Sequence, residues 1–96
     1  MTTIQLRRYT IEEGRMDDFI GWWRSILPPR AKYGFRVVFA YADDEHSEFV
    51  WAVAHDADFD AAEADYMASP ERAEAFASNP NVVRGSVVAK VRSIDV

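Results

Sequence analysis

The sequence predicts an α+β fold: a four-stranded antiparallel sheet with both helical layers on one face, the ferredoxin-like β-α-β-β-α-β arrangement. Three observations predict it. Residues 16–27 place Met16, Phe19, Ile20, Trp23, Ile26 and Leu27 within about 120° of arc at ~100° per residue, an amphipathic helix. Four runs, residues 4–11, 35–42, 48–55 and 82–94, read as strands. A second helical region, residues 56–77, separates the third strand from the last.

Each element has its own reason. In the first strand Ile4, Leu6, Arg8 and Thr10 alternate with Gln5, Arg7, Tyr9 and Ile11, so neither face is plainly polar. Gly14 turns the chain into the first helix, and Asp17 and Asp18 suit its N-terminal dipole. Pro28-Pro29 removes two backbone donors, so the helix kinks or ends there, with residues 30–33 as a short continuation. Gly34 fits a left-handed cap before the second strand. That strand places Phe35, Val37, Phe39 and Tyr41 on one face. Residues 43–46 form an acidic hairpin tip. The third strand puts Phe49, Trp51, Val53 and His55 on one face and Val50, Ala52 and Ala54 on the other; the small residues suggest close helix packing. Residues 56–68 read as a helix with Asp60 and Glu63 as a loose capping box and Phe59, Ala62, Tyr66 and Met67 inward. Ser69-Pro70 restarts a helix, serine as cap and proline in the first turn, with Ala73, Phe76 and Ala77 inward. The last strand places Val83, Val87, Ala89 and Val91 together.

Ninety-six residues make one domain, residues 1–96, with a core of modest size. The net charge of −5 argues against nucleic acid as a partner, because phosphate binding needs a basic stripe. No cysteine is present, which fits a reducing, cytoplasmic setting. No signal peptide and no membrane span are expected: the N-terminus lacks an apolar core, and no apolar run nears the ~20 residues a span requires. Aromatic residues make up 14% of the chain, enough that some rings should pack against a partner. Phe39, Tyr41, Phe49 and Trp51 on the uncovered sheet face would be that surface, and a homodimer would bury it.

Several stretches resemble NIPSNAP domains. They are Leu6-Arg7-Arg8-Tyr9-Thr10-Ile11, Gly14-Arg15-Met16-Asp17-Asp18-Phe19, Lys32-Tyr33-Gly34-Phe35, Glu48-Phe49-Val50-Trp51 and Tyr66-Met67-Ala68-Ser69-Pro70-Glu71-Arg72. They keep order and spacing over most of the chain. The resemblance implies the dimeric α/β-barrel superfamily. That superfamily holds cofactor-independent monooxygenases, haem-degrading enzymes, small-molecule isomerases and proteins with no known reaction.

Candidate chemistry is sparse. His55 shares a strand face with Trp51, where it can act as an acid or base near neutrality. Arg7 and Tyr9 share a face, and a buried arginine there needs a carboxylate, from Glu48, Glu63 or a ligand. Trp22, Trp51 and Tyr66 can line an aromatic cleft. Two histidines and no cysteine leave no set of good metal donors. Asp56, Asp58 and Asp60 lack the glycine and glutamate of a calcium loop, since Ala61 and Met67 stand there. With no phosphate loop and no nucleophile elbow, no cofactor is expected. Three functions remain: binding of a small, partly aromatic or carboxylated molecule between sheet and helices; cofactor-independent oxygenation or isomerisation with His55 as acid/base; or a purely structural dimerisation module.

Overall fold

The computed structural model describes all residues, 1–96. The elements are β1 (Thr3–Ile11), α1 (Met16–Trp23), a 3₁₀ turn (Arg24–Ile26), α2 (Leu27–Lys32), β2 (Arg36–Asp43), β3 (Glu48–His55), α3 (Phe59–Met67), α4 (Pro70–Phe76) and β4 (Val83–Val91). The sheet order is β2-β3-β1-β4, and every neighbouring pair is antiparallel. This is the ferredoxin-like arrangement, with the helices on one face.

The proline pair does not stop the first helical segment. A 3₁₀ turn at Arg24–Ile26 follows α1, and both prolines then fall in the opening turn of α2, where a missing N–H costs nothing. Gly34 takes φ +91°, as a left-handed cap requires. The cap of α3 is not Asp60: the Asp58 side chain accepts from Ala61 N at 3.0 Å. Ser69 caps α4 as expected, accepting from Arg72 N at 3.1 Å, while its hydroxyl donates to Tyr66 O at 2.7 Å. Met67 points to solvent, and α4 has no buried residue, so Ala73 and Ala77 form no inner stripe.

Sheet polarity departs most from the sequence-based expectation. The large side of β3, Phe49, Trp51 and Val53, meets the helices, where Phe19, Trp23, Phe59 and Tyr66 pack on it. Trp23 lies edge-to-face on Phe49 at 5.0 Å and on Trp51 at 5.4 Å. Ring-on-ring packing keeps the helices at a distance that small residues could not fill. Ala52 and Ala54 lie on the opposite face, shielded between larger neighbours in register: Leu6 and Phe39 flank Ala52, Ile4 and Arg36 flank Ala54. Phe49 and Trp51 are therefore core residues of the protomer, not part of the uncovered face.

The β2 strand also splits. Val37 pairs with Val53, but Phe39 pairs with Ala52, so Val38 is an extra residue in the ladder. Such a bulge shifts the phase of everything beyond it. Phe35 and Val37 face the helices; Phe39 and Tyr41 face the other way. A second irregularity, between Thr10 and Ile11, separates Val83 from Val87, Ala89 and Val91 in the same manner. All of β4 is exposed.

Candidate functional site

Helix-facing residues of β1 begin the site. Gln5, Arg7 and Tyr9 point under the helices from a central strand. Arg7 donates through Nη1 to Gln5 Oε1 and through Nε to Tyr9 Oη, both at 2.6 Å. Gln5 Nε2 donates in turn to Glu63 Oε2 on α3, at 3.4 Å. The Arg7 charge is thus relayed to one carboxylate through an amide.

Next to this chain sits Arg30, which sequence reasoning passed over as the tail of a short helix. It is 5% exposed. Its guanidinium carbon lies 4.5 Å from the Tyr66 ring centre, 5.2 Å from Trp51 and 5.5 Å from Phe35. Arg7 reaches the same Trp51 ring at 5.8 Å. Rings hold Arg30 in place, yet its side chain makes no hydrogen bond. Burial pushes its pKa down, with the like charge of Arg7 as the second cause. From α4, Arg72 stacks on Phe76 at 3.9 Å, and its Nε is likewise buried without a partner.

Tyr66, whose ring lies under the Arg30 guanidinium, is fully buried with an unpartnered hydroxyl. Burial raises its pKa, and the charges of Arg30, Arg72 and Arg7 oppose the rise. The hydroxyl keeps its proton at neutral pH. Six buried side-chain polar atoms lack a partner: Trp23 Nε1, Arg30 Nε and Nη1, Trp51 Nε1, Tyr66 Oη and Arg72 Nε. Every one can donate a hydrogen bond, and only the phenol can also accept.

The surface is balanced differently. Seven ion pairs lie there: Arg8–Glu48, Arg15–Asp18, Lys32–Glu71, Arg36–Asp56, His46–Asp43, Arg84–Glu12 and Lys90–Asp60. Arg7, Arg30 and Arg72 are in none of them.

The remaining sequence candidates go elsewhere. His55 is committed at both ring nitrogens: Nδ1 accepts from Ala57 N at 3.0 Å, so Nε2 carries the proton and donates to Tyr33 O at 3.0 Å. It packs edge-to-face on Phe35 at 4.9 Å. This geometry ties the end of β3 to the turn before β2 and offers no free base. Trp22 donates to Ala75 O at 2.9 Å and stacks on Phe76 at 4.9 Å, pinning α1 to α4 away from Trp51. Arg7, Tyr9, Trp51 and Tyr66 do converge, around Arg30. Two surface depressions lie apart from this cluster: one between Glu13–Asp17 and the β2–β3 tip, the other between Pro28, Pro29 and α4. No cluster of three or more candidate metal ligands is present, and no helix is long and apolar enough to cross a membrane.

Neither a protein-family model nor a curated protein matches the sequence. Solved structures do match. An uncharacterised NIPSNAP domain protein from Burkholderia xenovorans superposes with a TM-score of 0.82 at 17% identity, covering 98% of this chain and 95% of that one. The chain has the fold of NIPSNAP domain proteins. A NIPSNAP family protein of unknown function from Agrobacterium tumefaciens gives 0.82 at 13% identity, covering 94% and 86%. A putative antibiotic biosynthesis monooxygenase from Bacteroides thetaiotaomicron gives 0.76 at 16% identity, covering 98% and 90%. At these identities the likeness is one of fold, and the NIPSNAP neighbours are themselves uncharacterised.

Proposed function

We propose that this NIPSNAP-like chain binds a small, acidic, partly aromatic molecule at the Arg30–Tyr66–Trp51 cluster, as a cytoplasmic homodimer. One observation carries the reading: in a chain with a net charge of −5, the Arg30 guanidinium is buried among rings with no ion pair and no side-chain hydrogen-bond partner. Buried charge without a counter-charge is costly, and unpartnered donors add to the cost. An acceptor-rich anion offsets both. The surrounding rings favour a ligand with a flat apolar part.

Titration calorimetry with benzoate and with phenylacetate tests the reading, against toluene as a neutral control. The acids should bind wild type and lose affinity at least about tenfold in Arg30→Met, a change of about 1.4 kcal/mol. Acids that bind no better than toluene, or equally well to Arg30→Met, overturn it.

The homodimer rests on the uncovered sheet face. Leu6, Phe39, Tyr41, Val50, Val87 and Val91 share it, and Tyr41 and Val87 are 69% and 65% exposed in the protomer. An apolar face of that breadth is normally covered. Light scattering should give about twice the 11.0 kDa chain mass, and Val87→Glu should give a folded monomer. A monomeric wild type at micromolar concentration refutes it.

A catalytic reading is favoured by one group, the protonated and unpartnered Tyr66 hydroxyl beside the bound acid. Proton donation there would support a cofactor-independent reaction of the class named for the monooxygenase neighbour. His55, the other acid/base candidate, has both ring nitrogens in hydrogen bonds to Tyr33 O and Ala57 N.

A further inference from the structure

We propose that acids enter this site across the open β4 edge of the sheet and meet Arg7 first, so that Arg7 selects for negative charge on the way to Arg30. The inference rests on the acid-binding reading above and adds the route and the residue that governs it. The sheet register lays out the path. Arg7 pairs with Trp51 across β1–β3 and with Val88 across β1–β4. Since β1 lies between those strands, Trp51, Arg7 and Val88 form one row on the helix side. Exposure rises along the row: Trp51 is sealed at 0%, Arg7 is half-buried and Val88 is 44% exposed. The neighbours of Val88 on that face, Ser86 and Lys90, are exposed as well. Lys90 is engaged with α3, at 2.7 Å from Asp60 and 5.6 Å from the Phe59 ring, and does not cover Val88.

Arg7 is built for first contact. Hydrogen bonds from Nε to Tyr9 and from Nη1 to Gln5 fix its guanidinium, and Gln5 is itself braced on Glu63. The Nη2 amino group makes no hydrogen bond and is not sealed from solvent. Arg30 is the reverse, with Nε and Nη1 both sealed. The two guanidiniums lie against the same ring: the Trp51 centre is 5.8 Å from Arg7 and 5.2 Å from Arg30. An acid on the free edge of Arg7 is therefore one indole away from the buried charge. A charge at a rim acts on the rate of association and its salt dependence, whereas a buried one acts on the rate of release.

Two other approaches lack this feature. The same row ends on β2 at Ala40, which pairs with Trp51 and is exposed. The side chains sharing that face of β2, Val37, Ala40 and Ala42, carry no charge to attract an anion. The groove between Pro28, Pro29 and α4 has one base, Lys32, already paired with Glu71 at 3.0 Å, and Glu74 adds a further carboxylate. That groove repels acids.

Fluorine NMR exchange of 4-fluorobenzoate reads the association and dissociation rates, and an added tryptophan does not obscure the signal. Val88→Trp should slow both rates by about tenfold at little change in affinity, as a narrowed entrance requires. Ala40→Trp and Ser78→Trp, at the other two approaches, should change neither. Arg7→Gln should lower the association rate by about tenfold and flatten its dependence on salt, with dissociation within about twofold of wild type. Arg7→Lys, which keeps the charge, should retain most of the association rate and controls for loss of the Gln5 and Tyr9 contacts. Unchanged rates in Val88→Trp, or slowing by Ala40→Trp or Ser78→Trp instead, overturn the route. An Arg7→Gln variant that loses affinity through faster dissociation overturns the role of Arg7. Each of these outcomes leaves the acid-binding reading intact, while a wild type that does not bind 4-fluorobenzoate overturns both.

Discussion

Replacing Arg30 with methionine should make the ligand-free protein more stable. The guanidinium is 5% exposed and has no hydrogen-bond partner or counter-ion. Desolvating it costs several kcal/mol even after relaxation. The return comes from three ring faces at 4.5, 5.2 and 5.5 Å. Such contacts contribute about 0.5–1 kcal/mol each when exposed and about 2 when desolvated. Methionine fills irregular apolar space and packs well against aromatic rings, so it retains most of the dispersion energy while removing the desolvation cost. The balance favours Arg30→Met by about 1–3 kcal/mol. For a domain of this size each kcal/mol moves the melting temperature by about 4–8 °C, so a rise of about 4–24 °C is expected. Calorimetric melts at one protein concentration read it, since a dimer melts in a concentration-dependent way. The same variant should lose acid binding. A residue whose removal stabilises the fold and abolishes binding is retained for binding. If Arg30→Met melts lower than wild type, the aromatic cage is a structural device and the reasoning fails.

His55→Ala should cost about 2 kcal/mol, from two hydrogen bonds at about 0.5–1.5 each plus the Phe35 contact, while acid binding stays unchanged; binding lost with stability intact would restore His55 as a site residue. Gly34→Ala should destabilise by about 1–2 kcal/mol or more, because the backbone sits at φ +91° and a Cβ would stand 2.6 Å from His55 Nε2; denaturant melts within 0.5 kcal/mol of wild type would contradict this. Hydrogen bonds from Lys32 first and Tyr33 second hold the Glu71 carboxylate below its ordinary range. Its stabilisation is therefore present above the unfolded-state pKa of about 4.3 and is lost as pH falls through the lower folded value. Acid should loosen α4 before the whole domain unfolds, seen as faster amide exchange in residues 70–76; exchange that accelerates only with global unfolding refutes it.

Much of the fold was legible because it is local. The succession of strands and helices along the chain, the Gly34 cap and the Ser69-Pro70 helix start follow from groups that meet within a few residues of each other. Arg7, Tyr9, Trp51 and Tyr66 were legible as site candidates from face-sharing on single elements. Arg30 was not. Nothing in Pro28-Pro29-Arg30-Ala31 marks it as buried, because its burial comes from rings on β2, β3 and α3 that arrive from remote parts of the chain. Arg72 was missed in the same way, as a polar residue in the first turn of an exposed helix.

The amino-acid sequence by itself determined the period of each element, its caps and the excess of acidic charge. The tertiary structure decided which face of the sheet the helices cover and which charges remain unpaired. An alternating strand fixes two faces but not which is inward, and the extra residue at Val38 reverses the assignment partway, sending Phe39 and Tyr41 to the opposite side from Phe35. Pairing is likewise a matter of distance in space. Sixteen acidic side chains suffice to neutralise every base, but folding places them around the rim and leaves Arg30 and Arg72 among aromatic rings.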